Sequence, residues 1–343
     1  MLERVLLHIG IEKTGTKTLQ VTLAQNRDLL RQNGFVYPAL PGVHHVGLAL
    51  YASNGPSTFD MRTLAGLGDS EQYAEFMQRF PISLAEMVSV TGVHTALLSS
   101  EHCSSRLSTV EEITRLHRLI SPLTHECRVI VYLRRQDELM ISCYSEDVQA
   151  GHTEEFGFSE GVFWFDYLKL LDMWAAVFGR DNLDIRVFEP QQMEESDLIA
   201  DFSSAISFAQ YDRMQRVPNQ NQSLDIEALE FLRRFNAHVP VFAAGVPNPS
   251  RGLVSQAIAS LSAGDRLKPP EETATAFLDR YAATNAEVAR KYLNRADGVL
   301  FTRRPSAGQV ARLPSLDVSK AIDIAAKLWE WQERRFRELE QSM

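Results

Sequence analysis

Residues 2–20 read LERVLLHIGIEKTGTKTLQ, and this stretch decides the fold class. Val5–Ile9 is an apolar run of strand length, and a loop rich in Gly, Thr and Lys follows it at Ile11–Thr16. From Lys17 onward the apolar residues recur at helical spacing. A strand, such a loop and a helix together direct backbone N–H groups and a helix N-terminus at an anion. We therefore predict a phosphate-binding loop within an α/β fold.

The loop departs from the nucleoside triphosphate pattern G-x-x-x-x-G-K-[ST]. Gly10 and Gly15 have the required separation, but Thr16 follows them and the lysine comes one place late, as Lys17. A second lysine, Lys13, lies inside the loop.

A second phosphate-binding pattern follows the clearest strand, Arg128–Arg134, which is rich in β-branched residues. Asp137 opens a predicted helix that runs to about Gln149, and Ser142 lies in it, eight residues after Arg134. A guanidinium fork matches a phosphate group and a hydroxyl adds one more donor. Arg135 is the alternative arginine, although its spacing to Ser142 is one residue short.

These two patterns resemble the motifs of sulfotransferases that use 3′-phosphoadenosine 5′-phosphosulfate (PAPS). The resemblance implies sulfuryl transfer to a hydroxyl or amine of a small-molecule or carbohydrate acceptor, with PAPS as co-substrate and no metal. Arg134 and Ser142 would hold the 3′-phosphate. The residues implied at the 5′-phosphate are Lys13, Thr14, Gly15, Thr16, Lys17 and Thr18. The tryptophan that follows the loop in animal relatives is absent, and Arg303 and Arg304 match the C-terminal motif only weakly.

Glu101 is the predicted general base. It follows a buried-strand candidate, His94–Ser100, and ligands bind at the carboxyl ends of parallel strands, so Glu101 is expected on the same edge as the loop. Lys13 would neutralise charge on the leaving phosphate. His102 is the less favoured candidate for the base. The structural alternative is that Glu101 only pairs with an arginine such as Arg106.

His44 and His45 lie in a stretch, residues 39–70, that is predicted to be irregular because Gly, Pro, Ser and Asn are spread through it. They either face the substrate or have no special role, and the sequence leaves both readings open. No third residue at useful spacing completes a metal site with them.

Composition limits the classes of partner. The 343 residues carry a net charge of −9 and no long basic run, which argues against a nucleic-acid binder and, mildly, against a polyanionic acceptor. The three cysteines lack metal spacing and are expected to be free thiols in a reducing compartment. No apolar run has membrane-spanning length, and the first strand leaves no room for a signal peptide. A cytoplasmic location is expected, and the oligomeric state is left open.

The chain is predicted to be a single sulfotransferase domain over 1–343, with a cofactor-binding core over 1–210. That core would be a parallel sheet flanked by helices. The part over 211–343 would be mainly helical and would cover the acceptor side. Three further expectations are one helix from the loop to near Gly34, one helix over 271–293, and a helix with a strand-like segment over Asn285–Phe301.

Two other functions are compatible with the same sequence. A P-loop kinase or NTPase needs Mg²⁺, usually held by an aspartate at the end of a hydrophobic strand. The predicted strands end instead in Ser100-Glu101, Arg134-Arg135 and Glu189-Pro190, so this class is the runner-up. The other alternative is a catalytically inactive nucleotide-binding protein of the same fold.

Overall fold

The computed structural model describes residues 1–40, 44–54, 61–62, 65–158, 162–217, 224–243, 246–305 and 316–342. Its central feature is a parallel sheet in the strand order β2-β3-β1-β4-β5. The strands are β1 Leu2–His8, β2 Phe35–Val36, β3 Thr95–Ser99, β4 Thr124–Leu133 and β5 Leu183–Val187. The predicted parallel sheet flanked by helices is confirmed, and β1, the strand before the predicted phosphate loop, lies at its centre.

The helices connect these strands and continue beyond them. Up to β5 they are α1 Thr16–Gln25, α2 Arg27–Gln32, α3 Gly47–Ala52, α4 Ser70–Val88, α5 His102–Arg106, α6 Val110–Ile120, α7 Gln136–Gln149 and α8 Tyr167–Phe178. After β5 they are α9 Leu198–Ala205, α10 Ile226–His238, α11 Val254–Leu261, α12 Glu271–Asp279, α13 Ala282–Leu293 and α14 Val318–Ser342. None of the helices in the described ranges is long and apolar enough to cross a membrane.

The alternation of side chains along the strands divides the core into two layers. On one face, Leu6 of β1 and Tyr132 of β4 pack against Leu23 of α1 and Phe202 of α9, and all four are almost fully buried. Val5 and Leu7, also buried, point to the opposite face. Both faces are therefore covered, as expected for a parallel sheet.

By its internal contacts the chain divides into two compact units. The first unit contains the sheet and comprises residues 1–135, 161–221 and 281–303. The second comprises residues 136–160, 222–280 and 304–343. The single domain with an internal boundary near residue 210 stays a prediction. In the structure, residues 281–303 belong to the unit that contains the sheet, and the remaining described residues after 222 belong to the second unit.

The second unit is mainly helical. Its core is formed by side chains such as Val148 of α7, Leu229 and Leu232 of α10, and Ile258 of α11, each almost fully buried. The Asp225 carboxylate caps the start of α10 by accepting a hydrogen bond from Ala228 N–H, and it also accepts one from Gly264 N–H. A short antiparallel pair, β6 Phe242–Ala243 and β7 Val246–Pro247, belongs to the same unit.

Three predicted elements differ in the structure. The first predicted helix is broken at Asn26, whose side-chain amide donates to the Thr22 and Gln215 carbonyls and whose oxygen accepts from Gln215 N–H. The helix predicted over 271–293 is two helices, α12 and α13. Within residues 294–305, the described stretch directly after α13, no strand forms, and Thr302 there donates hydrogen bonds to the Glu189 carboxylate.

A fourth difference lies in the region predicted to be irregular. Helix α3 forms within it because Leu48, Ala49 and Leu50 are buried. Here tertiary burial outweighs the turn-forming residues on either side of the helix.

Candidate functional site

The predicted phosphate loop leaves β1 at Gly10, where the backbone is left-handed, with φ +59°. A Cβ atom at this position would lie 2.9 Å from Thr16 Cγ2 and 3.0 Å from Glu101 Cβ. Glycine is therefore required both by the conformation and by the close approach of the residue that follows β3. The consequence is that Glu101 lies directly beside the start of the loop.

The loop ends at Gly15, which is left-handed with φ +78° and is the residue before α1. A Cβ atom there would lie 2.5 Å from Leu198 Cδ2. The first intrahelical bond runs from Leu19 N–H to the Gly15 carbonyl at 3.0 Å, so the amides of Thr16 and Lys17 belong to the open first turn of α1. Such a turn attracts anions through its N–H groups and the helix dipole.

Two contacts hold the middle of the loop. Lys13 has φ +67°, a left-handed backbone that costs a residue with a side chain on the order of 1–3 kcal/mol. Its carbonyl accepts a hydrogen bond from Arg134 Nη1 at 2.6 Å. The Thr14 hydroxyl, which is buried, donates to the Ile11 carbonyl at 2.7 Å. Arg134 therefore braces the loop from the end of the neighbouring strand β4.

Glu101 is held by a glutamine on α1. Gln20 Nε2 donates to Glu101 Oε2 at 2.6 Å and to Ser99 Oγ at 3.2 Å. Gln20 is fully buried and Glu101 is partly exposed. The parallel register that sets His8 opposite Ser99 explains why the end of β3 comes level with the start of the loop. The alternative pairing of Glu101 with Arg106 does not occur in the structure.

His102, the second candidate for the base, faces a carboxylate that the sequence analysis did not single out. Its Nδ1 lies 3.8 Å from Glu12 Oε1, and Arg106 Nη1 lies at the same distance from that oxygen. The Ser105 hydroxyl donates to Glu12 Oε1 at 2.5 Å. Burial by itself raises the pKa of Glu12, but His102, Ser105 and Arg106 together hold it below its ordinary value. The acidic residue of the loop thus points to α5 and stays ionised there.

The two adjacent histidines have different surroundings. His45 is buried, its Nδ1 accepts from Ser99 N–H at 3.1 Å and its Nε2 bonds the Pro38 carbonyl at 3.0 Å. Burial lowers the pKa of His45 to about 4, so it is a neutral structural residue. His44 is partly exposed, and its Nδ1 lies 2.7 Å from Gln20 Oε1. Within the described ranges no three His, Cys, Asp or Glu side chains group as a metal site requires.

The arginines after β4 both contact backbone carbonyls in the first unit. Arg134, besides bracing Lys13, has its guanidinium 5.7 Å from the centre of the Phe188 ring. Arg135 is buried and donates from Nη1 to the Arg303 carbonyl at 2.8 Å. Ser142 is the seventh residue of α7, in the second unit, and is also buried. Its joint role with Arg134 stays a prediction.

Residues 302 and 303 are anchored at the end of β5. The buried Glu189 carboxylate accepts hydrogen bonds from Thr302 N–H at 2.9 Å, from the Thr302 hydroxyl at 2.8 Å and from Gln192 Nε2 at 2.7 Å. Burial alone raises the pKa of Glu189, but these donors hold it below its ordinary value. The backbone of Arg303 consequently lies at the same sheet edge as the phosphate loop.

Gln20, Glu12 and Glu189 are the site residues that the sequence reasoning missed. The sequence did contain a signal for Gln20. It lies four residues after Thr16, so the two residues share one face of the predicted helix. Glu12 stands beside Lys13 and would have been expected in solvent. Only the position of α5 shows that its carboxylate is enclosed.

No protein-family model matches the chain. It is 25% identical over 130 residues to an uncharacterized protein of Archaeoglobus fulgidus, a match covering 37% of this chain and 34% of that protein. The match therefore spans about a third of that relative's length.

Two solved structures are similar to the chain. One is a sulfotransferase from Alicyclobacillus acidocaldarius, with a TM-score of 0.41 and 15% identity over 83% of this chain and 94% of that one. The other is the sulfotransferase domain from the curacin biosynthetic pathway, with a TM-score of 0.34 and 12% identity over 82% and 97%. Because identities and TM-scores are this low, the likenesses carry no argument on function, which rests on the residues of this chain.

Proposed function

We propose that the protein transfers a sulfuryl group from PAPS to a hydroxyl or amine of a small-molecule or carbohydrate acceptor. The observation that supports this most is the position of Glu101, whose backbone and Cβ lie against the first residue of the predicted phosphate loop. Glu101 lies against Gly10, at the carboxyl ends of the paired strands β1 and β3. An anionic donor held by the loop would thus have a proton acceptor beside it.

The loop and the start of α1 suit the donor's 5′-phosphate. The backbone amides from Thr14 to Thr18 and the Thr16 and Thr18 hydroxyls are the proposed donors to its oxygens. Lys17 is exposed and adds positive charge beside the sulfonate. We assign Arg134 to the 3′-phosphate, and the sequence motif assigns Ser142 to the same group.

In the reaction, the acceptor oxygen or nitrogen forms a bond to sulfur while the bond from sulfur to the donor's phosphate oxygen breaks. The leaving phosphate takes the negative charge, which Lys13 would neutralise. The acceptor's proton passes to Glu101, the general base. His102 is the second candidate, but its Nδ1 faces Glu12, whereas Glu101 lies beside Gly10 and accepts a hydrogen bond from Gln20 of α1. As in phosphoryl transfer, the protein mainly positions the reactants and stabilises moving charge.

The strand ends favour this reaction over that of a Mg²⁺-dependent kinase or NTPase. Of the carboxylates that follow β1, β3 and β5, Glu12 is enclosed by α5 and Glu189 accepts several hydrogen bonds. The third of these carboxylates, that of Glu101, accepts a hydrogen bond from Gln20. We therefore propose transfer that needs no metal. All three cysteines lie in the described ranges and none forms a disulfide, which supports the proposed cytoplasmic location.

Calorimetry with the product nucleotide, 3′-phosphoadenosine 5′-phosphate, tests the proposal. We expect it to bind equally well with Mg²⁺ and with a chelator. At 100-fold excess over its dissociation constant it should stabilise the fold by about 2.7 kcal/mol, which raises the melting temperature. Binding of ATP–Mg²⁺ without binding of this nucleotide would favour the kinase alternative. Binding without turnover on any acceptor would favour an inactive nucleotide-binding protein.

A further inference from the structure

Gln20 links two candidate groups that are far apart in the sequence. Its side-chain amide contacts Glu101 Oε2 at 2.6 Å on one side and His44 Nδ1 at 2.7 Å on the other, and Ser99 Oγ is also within reach of its nitrogen at 3.2 Å. The side chain is fully buried. The other oxygen of Glu101 and the Nε2 of His44 accept no hydrogen bond from the described residues.

The protons in this chain of contacts can be assigned. A carboxylate is only an acceptor, so the Gln20 atom that faces Glu101 must be the amide nitrogen. Both N–H bonds are then used, one to Glu101 and one to Ser99. The amide oxygen, left for His44, can only accept, so His44 Nδ1 must carry a proton. In its neutral form His44 therefore has an unprotonated Nε2.

We propose that Gln20 is a positioning residue for sulfuryl transfer that orients Glu101 and sets the tautomer of His44. By holding Oε2 of Glu101, it leaves Oε1 for the acceptor's proton. By accepting from His44 Nδ1–H, it leaves Nε2 of His44 to accept a hydrogen bond from the acceptor molecule. The catalytic part of this inference rests on the proposed function, whereas the proton assignment does not.

Three titratable side chains near Gln20 have pKa values that keep them neutral. Burial lowers the pKa of His45 to about 4 and raises the pKa of Cys103 to about 12, and it also raises the pKa of Tyr37. All three are neutral at pH 7 and do not compete with Glu101 or His44 for a proton. Among the described residues, Arg27 is a cation in this region, and its guanidinium lies 5.5 Å from the centre of the Tyr37 ring.

Nitrogen-15 NMR of histidine-labelled protein tests the proton assignment without any ligand. The His44 signal, identified by its loss in His44→Gln, should show the Nδ1–H tautomer in the wild type. Gln20→Met keeps the side-chain volume but forms none of the three hydrogen bonds, so it should abolish that preference. Gln20→Glu can still accept from Nδ1–H and should retain it. Gln25→Met, at the exposed end of the same helix, is the matched control and should match the wild type.

Steady-state kinetics tests the positioning role. Gln20→Met should lower kcat by about 10–100-fold with little change in the KM for PAPS, because orientation is lost while the donor site is intact. Gln20→Glu places a second carboxylate next to Glu101 and should shift the acidic limb of the pH–rate profile to higher pH. If Gln20→Met folds poorly, Gln20→Glu can still be measured for both the tautomer of His44 and the pH–rate profile.

The outcomes separate the inference from the proposed function. An Nε2–H tautomer for His44 in the wild type, or equal kcat values for Gln20→Met and Gln25→Met, would overturn the inference. An unshifted pH profile in Gln20→Glu would overturn the link to Glu101. Absence of turnover in the wild type would overturn the proposed function, and the NMR result would then decide alone whether Gln20 sets the tautomer of His44.

Discussion

Lowering the pH from 7.5 to 5.0 should destabilise the protein through two histidines in the interior of the first unit. His8 lies on β1 with its Nδ1 2.8 Å from Ser99 Oγ, and His45 contacts the backbone of Ser99 and Pro38. Burial lowers the pKa of His8 from 6.5 to about 3 and that of His45 to about 4. At pH values between these pKa values and 6.5, the two histidines bind protons in the unfolded chain but not in the folded one.

The sign and size of the effect follow from this difference. Stability is fully present above pH 6.5 and falls as the pH drops below it, by about 1.36 kcal/mol per pH unit for each histidine. From pH 7.5 to 5.0 the loss is about 2 kcal/mol per histidine, or about 4 kcal/mol for both. Carboxylates whose pKa values are held low, such as Glu12 and Asp201, titrate at lower pH and do not contribute in this window.

Urea denaturation at several pH values measures the free energy of unfolding for the wild type and His45→Gln. The variant cannot titrate at this position, so its loss between pH 7.5 and 5.0 should be smaller by about 2 kcal/mol, whatever its stability at pH 7.5. His125→Gln, on the exposed part of β4, is the control and should keep the wild-type slope. Equal slopes in His45→Gln and the wild type would refute the neutral, buried assignment of His45.

Four substitutions test the assigned roles at the site. Arg134→Ala should weaken PAPS binding by about 1.5–3 kcal/mol and also slow turnover, because the Lys13 carbonyl loses its brace; unchanged affinity in calorimetry would contradict the assignment. Lys13→Ala should lower kcat by about 10²–10³ with a smaller change in affinity, and a loss confined to affinity would argue against a transition-state role. Glu101→Gln should lower kcat by about 10²–10⁴ while His102→Ala stays active, and the reverse pattern would make His102 the base.

Local patterns were sufficient to predict the sheet and the strand, loop and helix at its centre. The strand β1, the glycines on either side of the loop and the start of α1 follow one another within about twenty residues, so short-range spacing specifies them. The same holds for β3 and β4, whose apolar cores are continuous runs. The parallel pairing of β1 with β3 then brings Glu101 to the loop, as the strand-end argument predicts.

Contacts between distant residues could not be predicted in this way. The end of α1 at Asn26 depends on a hydrogen bond to Gln215, and the formation of α3 depends on burial of Leu48 and Leu50. The role of Gln20 becomes visible only when His44 and Glu101 are seen on either side of its amide. A sequence shows that an amide lies on a helix, but it does not show which two groups the amide joins.

The most direct test of sulfuryl transfer uses PAPS with a radioactive sulfuryl group, a chelator and a pooled set of hydroxyl and amine acceptors. We predict that label moves to at least one acceptor while one equivalent of 3′-phosphoadenosine 5′-phosphate forms, and that Lys13→Ala and Glu101→Gln both suppress the transfer. Label that stays on PAPS across the whole acceptor set, with the wild type and both variants indistinguishable, would contradict the proposed function.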